Sequence, residues 1–180
     1  MTRALSLGVT LGVLIGLLFY PAVVRGDGGS AATVTLDAPA EVAPGSDFIA
    51  RVNILWLQDF DAAQFDITYD ADVLQFTDVT DGLINSTAIP ADWGFMPPGE
   101  PGTIRVITNV AGAPGVTGAG YLADIHFHVV GSACNTSALS LSNGVLSDKY
   151  GAAIPAIWIG TSVHVSGNTH YLFLPLLQTV

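Results

Sequence analysis

The feature that most constrains the fold of this chain is a series of short stretches in which apolar and polar residues alternate. Turn-forming residues close each stretch, about every ten positions. The alternating stretches are 33–37, 47–57, 62–69, 70–79, 103–110, 121–130, 137–142 and 157–165. In 47–57, for example, Phe48, Ala50, Val52, Ile54 and Trp56 share one side of an extended strand. Outside the N-terminal region no window of helical length keeps a 3.6-residue period, so the pattern predicts an all-β sandwich or barrel.

The first 32 residues differ in character from the rest. A short basic start at Arg3 precedes an apolar run of 21 residues, 4–24, and small residues come next at 27–33. The length of the run suits a retained membrane anchor, whereas its glycines and proline suit a secretory signal peptide cleaved near Ala32. In either case we expect a signal helix within 1–32 and an exported body, extracellular or at the cell surface. The body would cover 33–166, and 167–180 would be a linker with a short apolar tail of open role.

Charge and cysteine content narrow the class of partner. Fifteen acidic against five basic residues give a net charge of −10, which disfavours nucleic acid as a ligand. The one cysteine, Cys134, excludes an internal disulfide bond and is predicted to be a buried small hydrophobic residue.

The stretch 60–76 concentrates four aspartates, Asp61, Asp66, Asp70 and Asp72. A calcium loop of the helix–loop–helix type needs glycine at its sixth position and glutamate at its twelfth, and 70–82 has neither. We interpret Asp70 and Asp72 as turn residues that cap backbone N–H groups. The alternative is a calcium site completed by loop carbonyl groups.

The strand predicted over 62–69 separates two sets of side chains, because successive residues of a strand point to opposite faces. Phe65, Ile67 and Tyr69 are predicted to face the core. Gln64, Asp66 and Thr68 are predicted to face water or a partner.

A second polar row lies in 124–128, where Asp124, His126 and His128 share one strand face. Such a row could hold zinc with a further ligand such as His164, but an exposed polar face is the favoured interpretation. Catalytic signatures such as the nucleophile elbow, the zinc-protease motif and the phosphate-binding loop are missing. We therefore expect no catalytic residues, no resident metal and no enzyme activity; a metal-dependent hydrolase around the two histidines is the least favoured alternative.

Four segments together resemble a cohesin domain over residues 33–166. They are VTLDAPAEVAPGSDFIARVNI, FDAAQFDITYDADVLQF, GAGYLADIHFHVVG and LSLSNGVLSDKYGAAIPAIWIGTSVHV. The resemblance implies a two-layer antiparallel β-sandwich with jelly-roll topology and about nine strands. It also implies a non-catalytic receptor for dockerin modules, the calcium-loaded docking modules of secreted polysaccharide-degrading enzymes. The repeated calcium loop of a dockerin is absent from this chain, so we expect no cofactor here and any calcium on the partner.

The resemblance further implies that binding uses one flat sheet face that includes the strand 62–69. Where well-studied cohesins carry Asn and Asp on that strand, this chain has Ala62 and Gln64. The predicted partner-binding residues are Gln64, Asp66, Thr68, Asp124, His126 and His128, with Lys149 at the rim. An acidic face containing histidines would favour a basic partner and would bind more weakly below about pH 6.5.

Direct carbohydrate binding is the alternative function, because aromatic side chains can stack on sugar rings. The candidates are Trp56, Trp93, Tyr150 and Trp158. Trp56 has the parity of a core residue and Trp93 falls in a predicted loop, so docking of a protein module is preferred. A membrane would be contacted only through an uncleaved N-terminal segment.

Overall fold

The computed structural model describes residues 31–110, 112 and 115–167 and contains only β-strands and connecting turns within them. The strands are β1 Ala32–Asp37, β2 Glu41–Val42, β3 Asp47–Thr68, β4 Leu74–Ile84, β5 Thr87–Ile89, β6 Ala91–Phe95, β7 Thr103–Asn109, β8 Val116–Val129, β9 Thr136–Asp148, β10 Ala153–Ile154, β11 Ala156–Ile159 and β12 Thr161–Val165. The predicted all-β fold is confirmed. The predicted signal helix and the apolar tail lie outside the described residues, apart from the last positions of the 1–32 region and the first of the linker. No helix among the described residues has the length and hydrophobicity needed to cross a bilayer.

The strands form two layers that share β3. The first layer has the order β11, β1, first half of β3, β8, β4, β5. The second layer has the order β2, β12, β9, second half of β3, β7, β6, with β10 beside β9. Two pairings are parallel, β1 with β11 and β2 with β12; the others are antiparallel.

β3 passes from one layer to the other because its pairing with β8 is interrupted by register shifts, at Val52/Asn53, Ile54/Leu57 and Leu57/Phe60. Each shift inserts a bulge, and bulges bend and twist a strand. A 22-residue strand can therefore supply the centre of both layers.

The core fills the space between the layers and agrees closely with the predicted alternation. Phe65, Ile67 and Tyr69 are buried as expected. The ring of Tyr69, just after β3, meets Phe127 of the first layer edge-on, with 5.2 Å between ring centroids. Gly144 leaves room for Trp158, because a Cβ atom at this position would collide with the indole ring.

Three sequence predictions about single residues are wrong. Trp56 is 62 % exposed rather than in the core, since the shift between Ile54 and Leu57 turns two consecutive residues outward. Trp93 lies in strand β6 rather than in a loop, and its ring packs edge-on against Phe76. Cys134 is exposed, because it occupies a turn with a positive φ of 70° between β8 and β9.

Candidate functional site

The predicted site residues fall on two different faces of the sandwich. Gln64, Asp66 and Thr68 lie on the second half of β3, which pairs with β7 and β9 in the second layer. Asp124, His126 and His128 lie on β8 opposite the first half of β3, in the first layer. The prediction that all six share one face is therefore wrong. The neighbour of 62–69 is not the strand 121–130, because β3 changes partners between its halves.

We call the outer surface of the second layer the docking face. Its middle consists of the outward-facing residues of the second half of β3 and of its two neighbours, β7 and β9. These residues are Ala62, Gln64, Asp66, Thr68, Thr103, Arg105, Ile107, Asn109, Ser140, Ser142, Asn143, Val145 and Ser147.

Asp66 occupies the centre of the docking face but is not a free carboxylate. Arg105 donates Nε and Nη2 hydrogen bonds of 2.7 and 2.8 Å to its two oxygens, and Asn143 adds a third of 2.8 Å. The hydrogen bonds from Arg105, and to a smaller extent the one from Asn143, hold the pKa of Asp66 below its usual range. The carboxylate in turn raises the pKa of Arg105. Asp66 is only 4 % exposed, so the prediction that its carboxylate meets water or a partner is wrong.

Next to this ion pair the docking face is apolar. Ile107 of β7 and Val145 of β9 stand directly opposite Gln64 and are 50 % and 53 % exposed. Between them lies a shallow hollow of about 280 Å³ lined also by Ala62, Ala63 and Ser147. Gln64 lies between the two aliphatic side chains and also lines the hollow, and the aliphatic groups with the small residues beside them are suited to receive an aliphatic side chain of a partner.

The remainder of the docking face offers hydroxyl groups and a charged rim. The Thr68 and Thr103 hydroxyl oxygens lie 3.1 Å apart across the strands. At the opposite end, Lys149 donates a 2.9 Å hydrogen bond to Asp59, which raises the pKa of the lysine. Lys149 thus lies beyond Ser147, just after β9, with its charge paired to Asp59, and its role at the rim of a binding surface stays a prediction.

The outer surface of the first layer, which we call the histidine face, carries a similar ion pair in different surroundings. Arg51 donates two hydrogen bonds of 2.7 Å to Asp124 and lies 4.0 Å from the centroid of the Tyr121 ring. The bonds to Asp124 raise the pKa of Arg51. His128 and Asp47 are joined at 2.7 Å.

The histidines do not assemble a metal centre within the part of the chain that the structure describes. His126 lies 3.1 Å from the Thr80 hydroxyl. His164 is on β12 of the other layer, 3.1 Å from the hydroxyl of Thr136 on β9. No group of three His, Cys, Asp or Glu side chains lies close enough to bind a metal among the described residues.

The four aspartates of 60–76 also remain apart in function. Asp70 accepts a 2.9 Å hydrogen bond from the backbone N–H of Asp72, which confirms the predicted turn cap for Asp70. Asp66 is paired with Arg105, and the backbone carbonyl of Asp61 accepts a hydrogen bond from Val110. The carboxylates of Asp66 and Asp70 therefore serve separate local roles.

The aromatic residues considered for sugar stacking do not form one platform. Trp158 packs 5.6 Å from Phe65 on the inner side of the sheet, and Trp93 packs on Phe76. Trp56 and Tyr150 are exposed, but Trp56 lies at the end of the first half of β3 and Tyr150 lies just after β9.

The sequence reasoning missed Ile107, Val145, Arg105 and Asn143. A signal existed for Ile107, because 103–109 places Thr103, Arg105, Ile107 and Asn109 on one side and an isoleucine among polar residues is unusual there. Val145 lies beyond the register shift between Gln64/Val145 and Asp66/Ser142, and a shift of this kind hides the parity of a residue from sequence alone.

Comparison with known proteins identifies the family. The sequence profile described as "Cohesin domain" matches residues 32–157. No curated protein matches the chain.

Several solved structures share the fold. A non-cellulosomal cohesin from the archaeon Archaeoglobus fulgidus has a TM-score of 0.64 and 22 % identity, over 78 % of this chain and 94 % of that one. The sixth cohesin of scaffoldin B from Acetivibrio cellulolyticus, solved in complex with a mutant Cel5 dockerin, has a TM-score of 0.62 and 17 % identity over 76 % and 100 %. The cohesin module of a family 33 glycoside hydrolase from Clostridium perfringens has a TM-score of 0.59 and 18 % identity over 76 % and 97 %.

Proposed function

The chain belongs to the cohesin domain family, and we propose on this basis that it is a non-catalytic module that binds a dockerin-type protein module through its docking face. The observation that carries the choice of face is the exposed pair Ile107 and Val145 beside a neutralised ion pair. The face includes the strand 62–69, which the family resemblance associates with binding. Similar modules have been solved with dockerins bound, from Acetivibrio cellulolyticus and from Clostridium thermocellum.

The chemistry of the docking face indicates what its partner presents. Covering the exposed parts of Ile107 and Val145 contributes on the order of 1 kcal/mol for each side chain. Arg105 and Asp66 already satisfy one another, so a partner would gain little from a charge placed over them and would leave it poorly paired. We therefore expect the dockerin to offer aliphatic side chains over the hollow and hydroxyl or amide groups over Thr68 and Thr103.

This partner differs from the basic one that the sequence pattern favoured. The basic partner rested on placing Asp124 and the two histidines beside Asp66, and those residues lie on the other layer. The charges at the centre of the docking face are paired with one another. We therefore expect Ile107 and Val145 to supply most of the affinity, and the hydroxyl groups of Thr68 and Thr103 to fix the orientation of the partner.

We also place the module outside the cytoplasm, at the cell surface or secreted, because of the apolar N-terminal run. A role outside a multi-enzyme scaffold is consistent with the fold likeness to a cohesin described as non-cellulosomal.

The test is capture of partners from the secreted proteins of the source organism by the immobilised chain, with and without a calcium chelator. The expected result is capture of proteins that carry a duplicated calcium-loop module, lost on chelation and restored by added calcium. The matched variants are I107D on the docking face and I49D on the histidine face, where Ile49 is 45 % exposed. Capture of proteins that lack such loops, or capture that survives I107D, would contradict the proposal.

A further inference from the structure

An exposed apolar patch surrounds the first described strand, away from the docking face. Leu55 is 67 % exposed and Trp56 is 62 % exposed, and Ile157 and Ile159 on β11 are each about half exposed. We call these four residues the N-terminal corner.

The strand register brings the apolar side chains near one another, with the threonines of β1 between those of β11 and β3. β1 lies between β11 and β3, with Thr33 opposite Ile157, Thr35 opposite Ile159, and Val34 opposite Ile54. On the β3 side, the residue next to Thr33 is thus Leu55. Since neighbouring strands are about 4.8 Å apart, the apolar side chains lie within two strand spacings of one another.

A register shift in β3 and the alternation of side chains along β11 explain why these residues are exposed. The register shift between Ile54 and Leu57 turns Leu55 and Trp56 outward together. On β11, Trp158 points inward to Phe65, so Ile157 and Ile159 must point outward by alternation. A large, contiguous apolar patch on a protein surface marks a contact with a partner or a membrane.

The position at which the chain enters β1 indicates what covers the patch. Seven residues, 25–31, separate the apolar run 4–24 from Ala32, and seven residues span at most about 25 Å. A run of 21 apolar residues is long enough to cross the roughly 30 Å hydrocarbon core of a bilayer. An anchored chain would hold the N-terminal corner close to the lipid surface.

We propose that the run 4–24 is retained as a membrane anchor and that the N-terminal corner rests on the bilayer, with Trp56 at the level of the lipid headgroups. Tryptophan is enriched at that depth because its ring is apolar and its N–H group can bind water or headgroup oxygens. The anchor raises the effective concentration of lipid at the corner, so that four apolar side chains are sufficient for contact. A second copy of the chain is a poorer occupant, because each copy carries a net charge of −10.

This arrangement leaves the docking face free. Leu55, Ile157 and Ile159 are on the first-layer side of β3 and its neighbours, whereas Ile107 and Val145 face outward from the second layer. Contact of the corner with lipid therefore directs the docking face away from the membrane.

The test uses the full chain inserted in phosphatidylcholine vesicles whose acyl chains carry bromine, a short-range quencher of tryptophan fluorescence. The wild-type protein is expected to lose part of its emission relative to vesicles without bromine. The W56F variant is expected to lose this quenched component, and W93F, which removes the indole at the edge of the docking face, is expected to keep it. An L55S/I157S variant should reduce the quenching while Trp56 is still present.

Three results would overturn the proposal: a chain that fails to float with the vesicles, quenching that persists in W56F, or a dimer that forms through the corner with no quenching. Dockerin capture by the same vesicles is measured separately with I107D. Failure of the membrane contact and failure of the docking function are therefore distinguishable.

Discussion

The docking face and the histidine face contain the same structural device in two different settings. On each, an arginine of one strand holds a nearly buried aspartate of the neighbouring strand through two hydrogen bonds: Arg105 with Asp66, and Arg51 with Asp124. Around the first pair lie Ile107 and a row of hydroxyl groups. Around the second lie His126, His128 and the carboxylate of Asp47.

The difference shows that an ion pair does not by itself mark a binding site. Both pairs satisfy an aspartate that the sheet covers, and both are expected to contribute to folding. On the docking face two exposed aliphatic side chains, Ile107 and Val145, flank Gln64 next to the pair, whereas on the histidine face exposed Ile49 stands opposite His126 next to the pair. The surroundings, rather than the pair, distinguish the surface suited to hold a protein partner.

The largest expected effect comes from a charge placed at Ile107, one of the two exposed aliphatic residues at the centre of the docking face. I107D would put an unpaired carboxylate under the partner, and we expect the affinity for the dockerin to fall about 100-fold or more. I49D makes the same change on the histidine face and should alter the affinity less than about twofold, since that face lies outside the proposed contact. Titration calorimetry measures both; equal losses would remove the distinction between the faces.

Removing a carboxylate from each pair should give the next largest effect. D66N is expected to lower the free energy of unfolding by about 1–3 kcal/mol, because it breaks a charge-assisted pair whose carboxylate is nearly buried. D124N is expected to cost less, because Arg51 is 45 % exposed and water screens that pair. Urea unfolding measures the loss. Only D66N should also weaken dockerin binding, since it frees Arg105 at the centre of the docking face. Loss of binding in D124N alone would reverse our assignment of the faces.

The lowered pKa of Asp66 predicts a dependence of stability on acid. The ordinary pKa of this group is 3.8, and Arg105 and Asn143 lower it in the folded protein. The stability that the ionised group contributes is complete above the unfolded value and is lost as the pH falls through the folded one. The difference in unfolding free energy between wild type and D66N should therefore be constant from pH 7 to about 5 and should shrink below about 4.

Asn143 provides a finer control for the same measurement. N143G keeps a residue that tolerates the positive φ of 50° at this position and removes one donor to Asp66. The acid loss should be smaller in total and should end at a higher pH than in wild type, because the folded-state pKa of Asp66 would lie closer to its unfolded value while the onset, set by the unfolded value, is unchanged. If the free energy of unfolding of D66N and of N143G falls with acid in the same way as that of the wild type, Asp66 does not contribute in this way.

The smallest expected effect is that of the histidines. The sequence pattern predicted weaker binding below about pH 6.5, from histidines at the partner surface. His126 and His128 lie on the opposite layer, so an H126A/H128A variant should bind the dockerin within about twofold of wild type. A steep loss of affinity between pH 7 and 5 that the double variant abolishes would return the histidines to the binding surface.

The sequence predicts the fold better than it predicts the site. Alternation correctly placed Phe65, Ile67 and Tyr69 in the core, because burial of one strand face is a local property of the pattern. Trp56 was misplaced because a single extra residue in a bulge inverts the parity of the residues after it. The alternation of apolar and polar residues in the sequence does not show where a bulge inserts an extra residue.

The composition of each face was out of reach of the sequence for a related reason. It depends on which strands are neighbours, and β3 exchanges β8 for β7 and β9 partway along its length. The partner of Asp66 is 39 residues away, at Arg105, and nothing local to either residue indicates the pairing. The family resemblance implied that the strand 62–69 belongs to the docking face but could not say which residues flank it.

Hydroxyl-radical footprinting of exposed side chains, with and without bound dockerin, tests the central claim most directly. If the second layer is the docking face, Ile107 and Val145 will be oxidised more slowly in the complex while Ile49 and Ile157 react at the same rate. Protection of Ile49 together with unchanged reactivity of Ile107 and Val145 would contradict the account and place the partner on the histidine face.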